Sequence, residues 1–178
     1  MKIIVINGRP RSGKDTFVNF CRDHMHWCLN VSTVDFVKVI AAKCGWDGTK
    51  TAENRKFLSD LKDLLTKWGD IPFKKVCREI ELFKAEMEAH NFDPDTEGVV
   101  FIHCREPKEI ERLCEELGAQ SLLILRAAVE NTVQSNHADA EVYNYNYDYT
   151  ISNDNTLQDL EDAAVNFLRG FGFKNLKF

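Results

Sequence analysis

The N-terminal stretch constrains the fold more than any other part of the chain. It runs MKIIVINGRPRSGKDTF: an apolar, β-branched run, a loop containing Gly8 and Gly13, and then apolar residues at helical spacing. A short, continuous apolar run is typical of a strand covered on both faces, as in a parallel sheet. A strand, a glycine loop and a helix in direct succession predict an α/β unit at the start of the chain.

Strands and helices alternate along the rest of the sequence. Residues at helical spacing predict helices, and apolar runs between them predict further strands at 29–34, 99–104, 121–126 and 147–152. This alternation predicts a three-layer α/β/α sandwich with a mainly parallel five-stranded sheet.

The length favours one domain. The 178 residues fit a single hydrophobic core, and the sequence has no internal repeat or linker, so we expect one domain over 1–178. Within it, 46–95 is a predicted helical insertion, and the polar stretch 127–146 has no clear period. A polar stretch of that length in a compact domain is usually functional or mobile. The first insertion helix is predicted to carry an apolar face with Leu58, Leu61, Leu65 and Trp68.

Composition limits the partners. Apolar residues make up 44% of the chain, and 28 acidic against 23 basic residues give a net charge of −5. A large nucleic-acid surface normally shows a basic excess, so we expect no nucleic-acid partner. The apolar runs are too short to span a bilayer, and the start does not resemble a secretory signal, so we expect no membrane partner. Oligomeric state is left open.

The six cysteines are scattered without metal-ligand spacing. They are Cys21, Cys28, Cys44, Cys77, Cys104 and Cys114. Most have apolar neighbours on predicted helices, which is typical of buried, reduced thiols. We therefore expect free cysteines and a reducing, cytoplasmic location.

The glycine loop has the spacing of a phosphate-binding loop. In Gly8-x4-Gly13-Lys14, backbone N–H groups can wrap phosphate oxygens, the following helix N-terminus adds partial positive charge, and the lysine can reach the β- and γ-phosphates. The spacing alone is a weak pattern, but its position after a buried strand and before a helix strengthens it. We predict an ATP site formed by Gly8, Arg11, Ser12, Gly13, Lys14, Asp15 and Thr16.

Asp15 stands where this loop usually has Ser or Thr. A carboxylate next to a polyphosphate is repelled unless a cation lies between them. Asp15 therefore either binds Mg²⁺, directly or through water, or orients Lys14. The alternative is a structural aspartate that the helix dipole favours at the first turn.

The segment RSGKD resembles the nucleoside monophosphate kinase group of P-loop NTPases. Within this group the chain is most similar to phage-type deoxynucleoside monophosphate kinases, then to phosphomevalonate kinases, and also to dephospho-coenzyme A kinases. The resemblance extends along most of the chain, although only the glycine loop is a strong match. It implies a nucleoside monophosphate kinase-like P-loop fold and a kinase that uses ATP and Mg²⁺.

The resemblance also assigns roles to basic residues. It implies that Lys38 and Arg55 bind the acceptor, that 46–95 is the acceptor-binding insertion and that 127–146 is a lid-like segment. Arg105 follows the third strand at the sheet edge where such folds bind ligands, and we assign it to catalysis and substrate binding. Arg126 is assigned to the nucleotide, either stacking on adenine or contacting phosphate.

One position departs from the family pattern. These kinases usually carry an acid at the end of the third strand, where this chain has His103. Either Asp15 and Glu106 take over the magnesium site or that site is weakened. The leading function is transfer of the ATP γ-phosphoryl group to a nucleoside or deoxynucleoside monophosphate. The alternatives are a kinase of another small phosphorylated metabolite and a nucleotide-binding sensor without turnover.

Overall fold

A computed structural model describes residues 1–130 and 142–177. Its sheet has strand order β2-β3-β1-β4-β5, and every neighbouring pair is parallel. The predicted fold class, an α/β sandwich around a five-stranded sheet, is confirmed. The strands are β1 (Lys2–Asn7), β2 (Trp27–Ser32), β3 (Gly98–His103), β4 (Gln120–Leu125) and β5 (Tyr149–Ser152).

Helices cover both faces of the sheet. One core cluster joins Phe17 and Leu160 to strand residues such as Ile4, and the other joins Val76 and Ile110 to strand residues such as Val5. Strand side chains alternate between faces, so both faces of the central strand are buried. The described helices are α1 (Lys14–His24), α2 (Asp35–Lys43), α3 (Ala52–Gly69), α4 (Ile71–Ala89), α5 (Pro94–Glu97), α6 (Pro107–Leu117), α7 (Ala127–Glu130) and α8 (Leu157–Gly170).

Local sequence patterns explain several helix ends. Thr156 and Asp159 form a capping box at the start of α8. Asp35 is a residue type favoured at N-caps, but it is the first helical residue of α2, and its carboxylate accepts a 2.8 Å hydrogen bond from the Ser32 backbone N–H. β2 accordingly ends at Ser32, before the predicted boundary. Within the described ranges, no helix has both the length and the apolar character needed to cross a membrane.

Helices α3 and α4 form a helical hairpin, here called the arm, in the predicted insertion. The expected apolar face of α3 holds in part: Leu58, Leu61 and Leu65 are partly buried, whereas Trp68 is 84% exposed. The most deeply buried residue of α3 is Lys62. Lys62 turns toward the protein because the carboxylates of Glu106 and Glu109 lie there to pair with it.

The cysteines are free, as predicted. Their burial is less uniform than expected: Cys21 and Cys104 are buried, whereas Cys44 is exposed. Cys44 caps the end of α2, beyond the last turn that packs on the core, which explains its exposure.

Candidate active site

The glycine loop joins β1 to α1 at the carboxyl edge of the sheet, where open parallel sheets bind ligands. A Cβ added at Gly8 would lie 2.5 Å from Ser12 Oγ and 2.7 Å from the Ile124 backbone oxygen. Gly13 has φ +96°, and a Cβ there would overlap the amide of Asn153. Both positions therefore require glycine, and the loop closes tightly around its own backbone.

Two asparagines hold the ends of this loop. Asn7 is fully buried: its Nδ2 donates to the Arg105 backbone oxygen (3.2 Å) and to Tyr147 Oη (2.7 Å), and its Oδ1 accepts from the Gly8 N–H (2.8 Å). Asn153 Nδ2 donates to the Ser12 backbone oxygen at 2.8 Å. Asn7 was not among the predicted residues, although a polar residue ending an apolar strand directly before a glycine is a pattern that could have indicated it.

Polar atoms in and beside the loop fit an anion. Lys14 begins α1 and is 8% exposed, with Nζ 3.4 Å from the Arg9 backbone oxygen. Ser12 Oγ and Arg9 Nε are buried, and neither has a hydrogen-bond partner among the described residues. Buried polar groups are normally satisfied, so these atoms indicate a place for a missing polar ligand. A phosphate group carries negative charge and has oxygen atoms that can accept hydrogen bonds from buried donors of this kind.

A cleft of about 670 Å³ lies beside the loop, bounded by β2, α2, α3 and the end of β3. It brings together five of the predicted site residues: Lys14, Asp15, Lys38, Arg55 and Arg105. Seven lysines and arginines line it against four aspartates and glutamates, so its charge is opposite in sign to that of the whole chain. The cleft is therefore a local cationic surface in an acidic protein.

The remaining predicted site residues lie on the loop or outside the cleft. Arg11 is exposed with φ 66°, and its backbone oxygen lies 3.4 Å from Arg126 Nη1. Arg126 therefore approaches the outer side of the glycine loop and does not line the cleft. Thr16 is partly buried in the first turn of α1. The predicted lid-like segment 127–146 lies largely outside the described residues.

His103 and Asp15 face each other at the entrance to the cleft. Asp15 Oδ1 is 3.7 Å from His103 Nδ1, and the Asp15 side chain is 81% exposed. Burial lowers the pKa of His103; the Asp15 carboxylate opposes this effect and the Lys14 ammonium adds to it. The neutral imidazole is therefore favoured at neutral pH. His103 Nε2 is buried, and no described residue hydrogen-bonds to it.

Metal ligands are sparse at the site. Among the described residues, no group of three or more His, Cys, Asp or Glu side chains is placed to hold a metal ion. Glu106, expected as a second magnesium residue, has Oε1 3.1 Å from Lys62 Nζ. A Mg²⁺ ion at this site would take Asp15 as its protein contact and would need phosphate oxygens and water for the rest of its shell.

A buried polar cluster beneath the cleft was not predicted. Glu109 Oε2 accepts from Lys62 Nζ (2.5 Å), Cys104 Sγ (3.1 Å) and Thr33 Oγ1 (3.4 Å). Burial by itself lowers the Lys62 pKa, but the carboxylates of Glu109 and Glu106 outweigh that effect and raise it overall. The cluster ties the arm to α6 and so fixes one wall of the cleft.

Comparisons with known proteins give distant structural likenesses. No family model and no curated protein matches the chain. Solved structures similar over 95% of the chain include TT1252 from Thermus thermophilus (18% identity, 97% of that chain, TM-score 0.43) and an unliganded sugar kinase from Janibacter sp. HTCC2649 (16%, 95%, 0.47). A shikimate kinase from Bacteroides thetaiotaomicron is similar over the same share of the chain (12%, 96%, 0.43). The parallel sheet, its strand order and the glycine loop define an α/β P-loop fold without support from these distant likenesses.

Proposed function

We propose that this protein is a P-loop phosphotransferase that moves the γ-phosphoryl group of ATP to a small phosphate-bearing acceptor. The single observation that carries the proposal is the continuity between the glycine loop and the cationic cleft, because Lys14 belongs to both. A donor phosphate held by the loop would therefore sit at the end of a cavity whose other wall is basic. That arrangement suits transfer between two anionic substrates.

The donor side rests on the loop residues. Backbone N–H groups of the loop and the N-terminus of α1 supply partial positive charge, and Lys14 supplies a full charge next to them. The buried Ser12 hydroxyl supplies a further polar contact. The Arg9 guanidinium is directed to the Val129 backbone oxygen (3.4 Å) and to the Tyr143 ring (4.8 Å from the centroid). Mg²⁺, when bound with ATP, would neutralise phosphate charge and would be contacted by Asp15.

The acceptor side rests on arginines across the cleft. Phosphoryl transfer spreads negative charge over equatorial oxygens, so alignment and cationic groups supply most of the catalysis. Arg105 follows β3 at the sheet edge, and Arg55 projects from α3, so the two reach the cleft from different elements. A guanidinium can hold two phosphate oxygens at once. We assign Arg55 and Lys38 to the acceptor, and Arg105 to the acceptor or the transferred group.

The family resemblance favours nucleoside or deoxynucleoside monophosphates as acceptors and leaves other phosphorylated metabolites open. The test measures ADP formation with a panel of nucleoside monophosphates and other phosphorylated metabolites. The Lys14→Ala and Lys67→Ala variants are compared with the native chain. Lys67 lies on α3, is exposed and does not line the cleft. We expect Lys14→Ala to lower kcat at least about 100-fold, the scale of losing one preorganised electrostatic contact, and Lys67→Ala to leave kcat unchanged. The proposal fails if no acceptor accelerates ADP formation.

A second candidate is a nucleotide-binding sensor without turnover, and the observation that favours it is His103. A neutral imidazole replaces the expected acid, and few metal ligands surround it. Calorimetric titration of ATP separates the two functions. Tight ATP binding without ADP formation at high enzyme concentration would favour the sensor.

A further inference from the structure

Among the described residues, the acceptor side of the cleft contains no Phe, Tyr or Trp ring. We call the cleft-lining residues of β2, α2, α3 and the α2–α3 loop, between positions 30 and 62, the acceptor wall. None of them is Phe, Tyr or Trp, although the chain has 12 Phe, 4 Tyr and 3 Trp. Stacking of a nucleobase on an aromatic side chain contributes about 1–3 kcal/mol per base. Its absence bears directly on which acceptor the wall suits.

The aromatic residues close to the wall in sequence are turned elsewhere. Phe36 lines an adjoining pocket of about 270 Å³ between α2 and α4, which shares Val31, Ser32 and Asp35 with the cleft, and Lys75 Nζ covers its ring at 4.5 Å from the centroid. Trp46 donates from Nε1 to the Thr49 backbone oxygen within its own loop. Of the residues outside the described part, 131–141 contain no Phe, Tyr or Trp in the sequence, and Phe178 is the last residue of the chain.

Helix α3 turns a mainly polar side to the cleft. Arg55, Ser59 and Lys62 line the cleft at helical spacing, and Leu58 is the large apolar side chain that α3 adds to them. Three large apolar side chains lie on the other side of the same helix and are exposed: Phe57 (37%), Leu64 (62%) and Trp68 (84%). Ligand pockets are lined mainly by hydrophobic and aromatic side chains. The side of α3 that lines the cleft is mostly polar instead, which favours a polar ligand.

The polar groups of the wall include both charges. Lys50 and Arg55 are suited to a phosphate group. Asp35 and Asp60 also line the cleft, where Asp35 pairs with Lys38 (3.0 Å) and Asp60 with Lys56 (2.6 Å) and each carboxylate keeps further lone pairs. Carboxylates accept hydrogen bonds from hydroxyl groups and repel further anions. The combination fits a ligand with one phosphate and several hydroxyls better than one with a phosphate and a flat heterocycle.

We infer that the acceptor is a non-aromatic, hydroxyl-bearing phosphate ester, in the chemical class of sugar and polyol phosphates. The inference rests on the proposed function and narrows its acceptor. In the reaction, a hydroxyl oxygen of the acceptor forms the new bond to the γ-phosphorus as the bond to the β–γ bridging oxygen breaks. ADP leaves with that electron pair, and the hydroxyl proton is lost to water.

The experiment compares acceptors that differ by the base alone. ADP formation is measured with 2-deoxyribose 5-phosphate against the deoxynucleoside monophosphates, and with ribose 5-phosphate against the ribonucleoside monophosphates. Glucose 6-phosphate and glycerol 3-phosphate extend the panel. We expect the highest kcat/KM for a sugar or polyol phosphate. A nucleotide with the highest kcat/KM would overturn the inference and leave the proposed function standing, whereas no acceleration by either class would overturn both.

A pair of variants tests whether the preferred acceptor binds at the acceptor wall. Arg55→Gln is expected to raise its KM at least tenfold, and Lys67→Gln, on the exposed side of the same helix, is expected to change it less than twofold. Binding is measured independently by calorimetry with a non-hydrolysable ATP analogue at saturation, so the result does not depend on turnover. If Arg55→Gln changes neither KM nor affinity, the acceptor does not use this wall and the inference is wrong.

Discussion

Single side chains at both ends of the glycine loop fix its shape without a ligand. Asn7 satisfies the Gly8 N–H and the Arg105 carbonyl, so one amide couples the donor loop to the segment that carries the predicted catalytic arginine. Asn153 holds the other end through the Ser12 carbonyl. A loop held in this way loses little conformational entropy when it binds phosphate, because the ordering is already present in the fold.

A histidine far from the cleft makes stability depend on pH. His24 Nδ1 lies 2.7 Å from the Lys177 backbone oxygen and Nε2 lies 2.8 Å from Glu161 Oε1. Both partners are acceptors, so only the doubly protonated imidazolium satisfies both. The hydrogen bond to Lys177 raises the His24 pKa above its ordinary value; burial opposes the rise and Glu161 adds to it. Protonation of His24 therefore strengthens the attachment of the C-terminal segment to α1.

We predict that this contact stabilises the protein below the unfolded-state pKa and that the stabilisation is lost as pH rises through the higher folded-state pKa. His24→Gln should lower Tm at pH 5.5 by about 2–4 °C, the equivalent of roughly 1 kcal/mol, and by less at pH 8.5. Thermal unfolding of both proteins across this range measures the difference. His26→Gln is the control, since His26 is exposed two residues away. A Tm difference that stays constant with pH would contradict the prediction.

Between elements, two sets of ion pairs attach the arm to α6. Lys62 of α3 pairs with Glu106 and Glu109, and Arg112 of α6 pairs with Asp70 through two bonds of 2.8 and 2.6 Å. Hydrogen bonding to Arg112 lowers the Asp70 pKa, with burial opposing it. The Lys62 side chain of the first set is buried, whereas the Arg112 and Asp70 side chains of the second set are more exposed. The buried set should therefore dominate the attachment of the arm.

We predict that Lys62→Met lowers the free energy of unfolding by about 3 kcal/mol, because it leaves two carboxylates without their buried cation. Adding Glu109→Gln to Lys62→Met should recover part of the loss, since it removes one uncompensated charge. Urea unfolding followed by circular dichroism measures both. Lys67→Met, an exposed lysine on the same helix, should change stability by less than about 0.5 kcal/mol. Equal losses from both single variants would show that the buried pairs have no special role.

The same helix shows where sequence analysis succeeds and where it fails. The central strands β1 and β3 were predicted because each carries a short apolar run, rich in β-branched residues, that needs cover on both faces, and the glycine loop was predicted because its geometry depends on neighbouring residues in the chain. The leucines of the predicted apolar side of α3 are partly buried, but the deeper burial of Lys62 was missed. Local spacing favoured Leu58 to Trp68 as the buried side, but Lys62 is buried by Glu106 and Glu109, which lie more than forty positions away in sequence. Contacts at that separation leave no periodic pattern.

The candidate site shows the same division. Lys14, Asp15 and Arg105 follow strand ends, so their convergence on one sheet edge could be predicted from the parallel order alone. Lys50 and Lys62 could not be assigned a place in the site, because their position depends on how the arm and the loop before it pack.

Across the whole molecule, charge is separated between surface and cleft. The chain carries −5 at neutral pH, whereas the cleft has an excess of basic residues. An anionic substrate is repelled by most of the surface and attracted at one opening. Such focusing of potential raises the rate at which charged substrates reach a site and weakens with ionic strength.

We predict that the acceptor KM increases about 3–10-fold as sodium chloride rises from about 0.1 M to about 1 M, because the Debye length falls from about 10 Å to about 3 Å. The kcat should change less than twofold, since contacts inside the closed complex are screened much less than those between separated charges. Steady-state kinetics with the preferred acceptor at saturating ATP measure both constants. Arg55→Gln should show a shallower salt dependence of KM than the native chain, and Lys67→Gln should show the native slope. The cleft charge, rather than the overall charge of the chain, would then control acceptor capture; parallel slopes for all three proteins would contradict this.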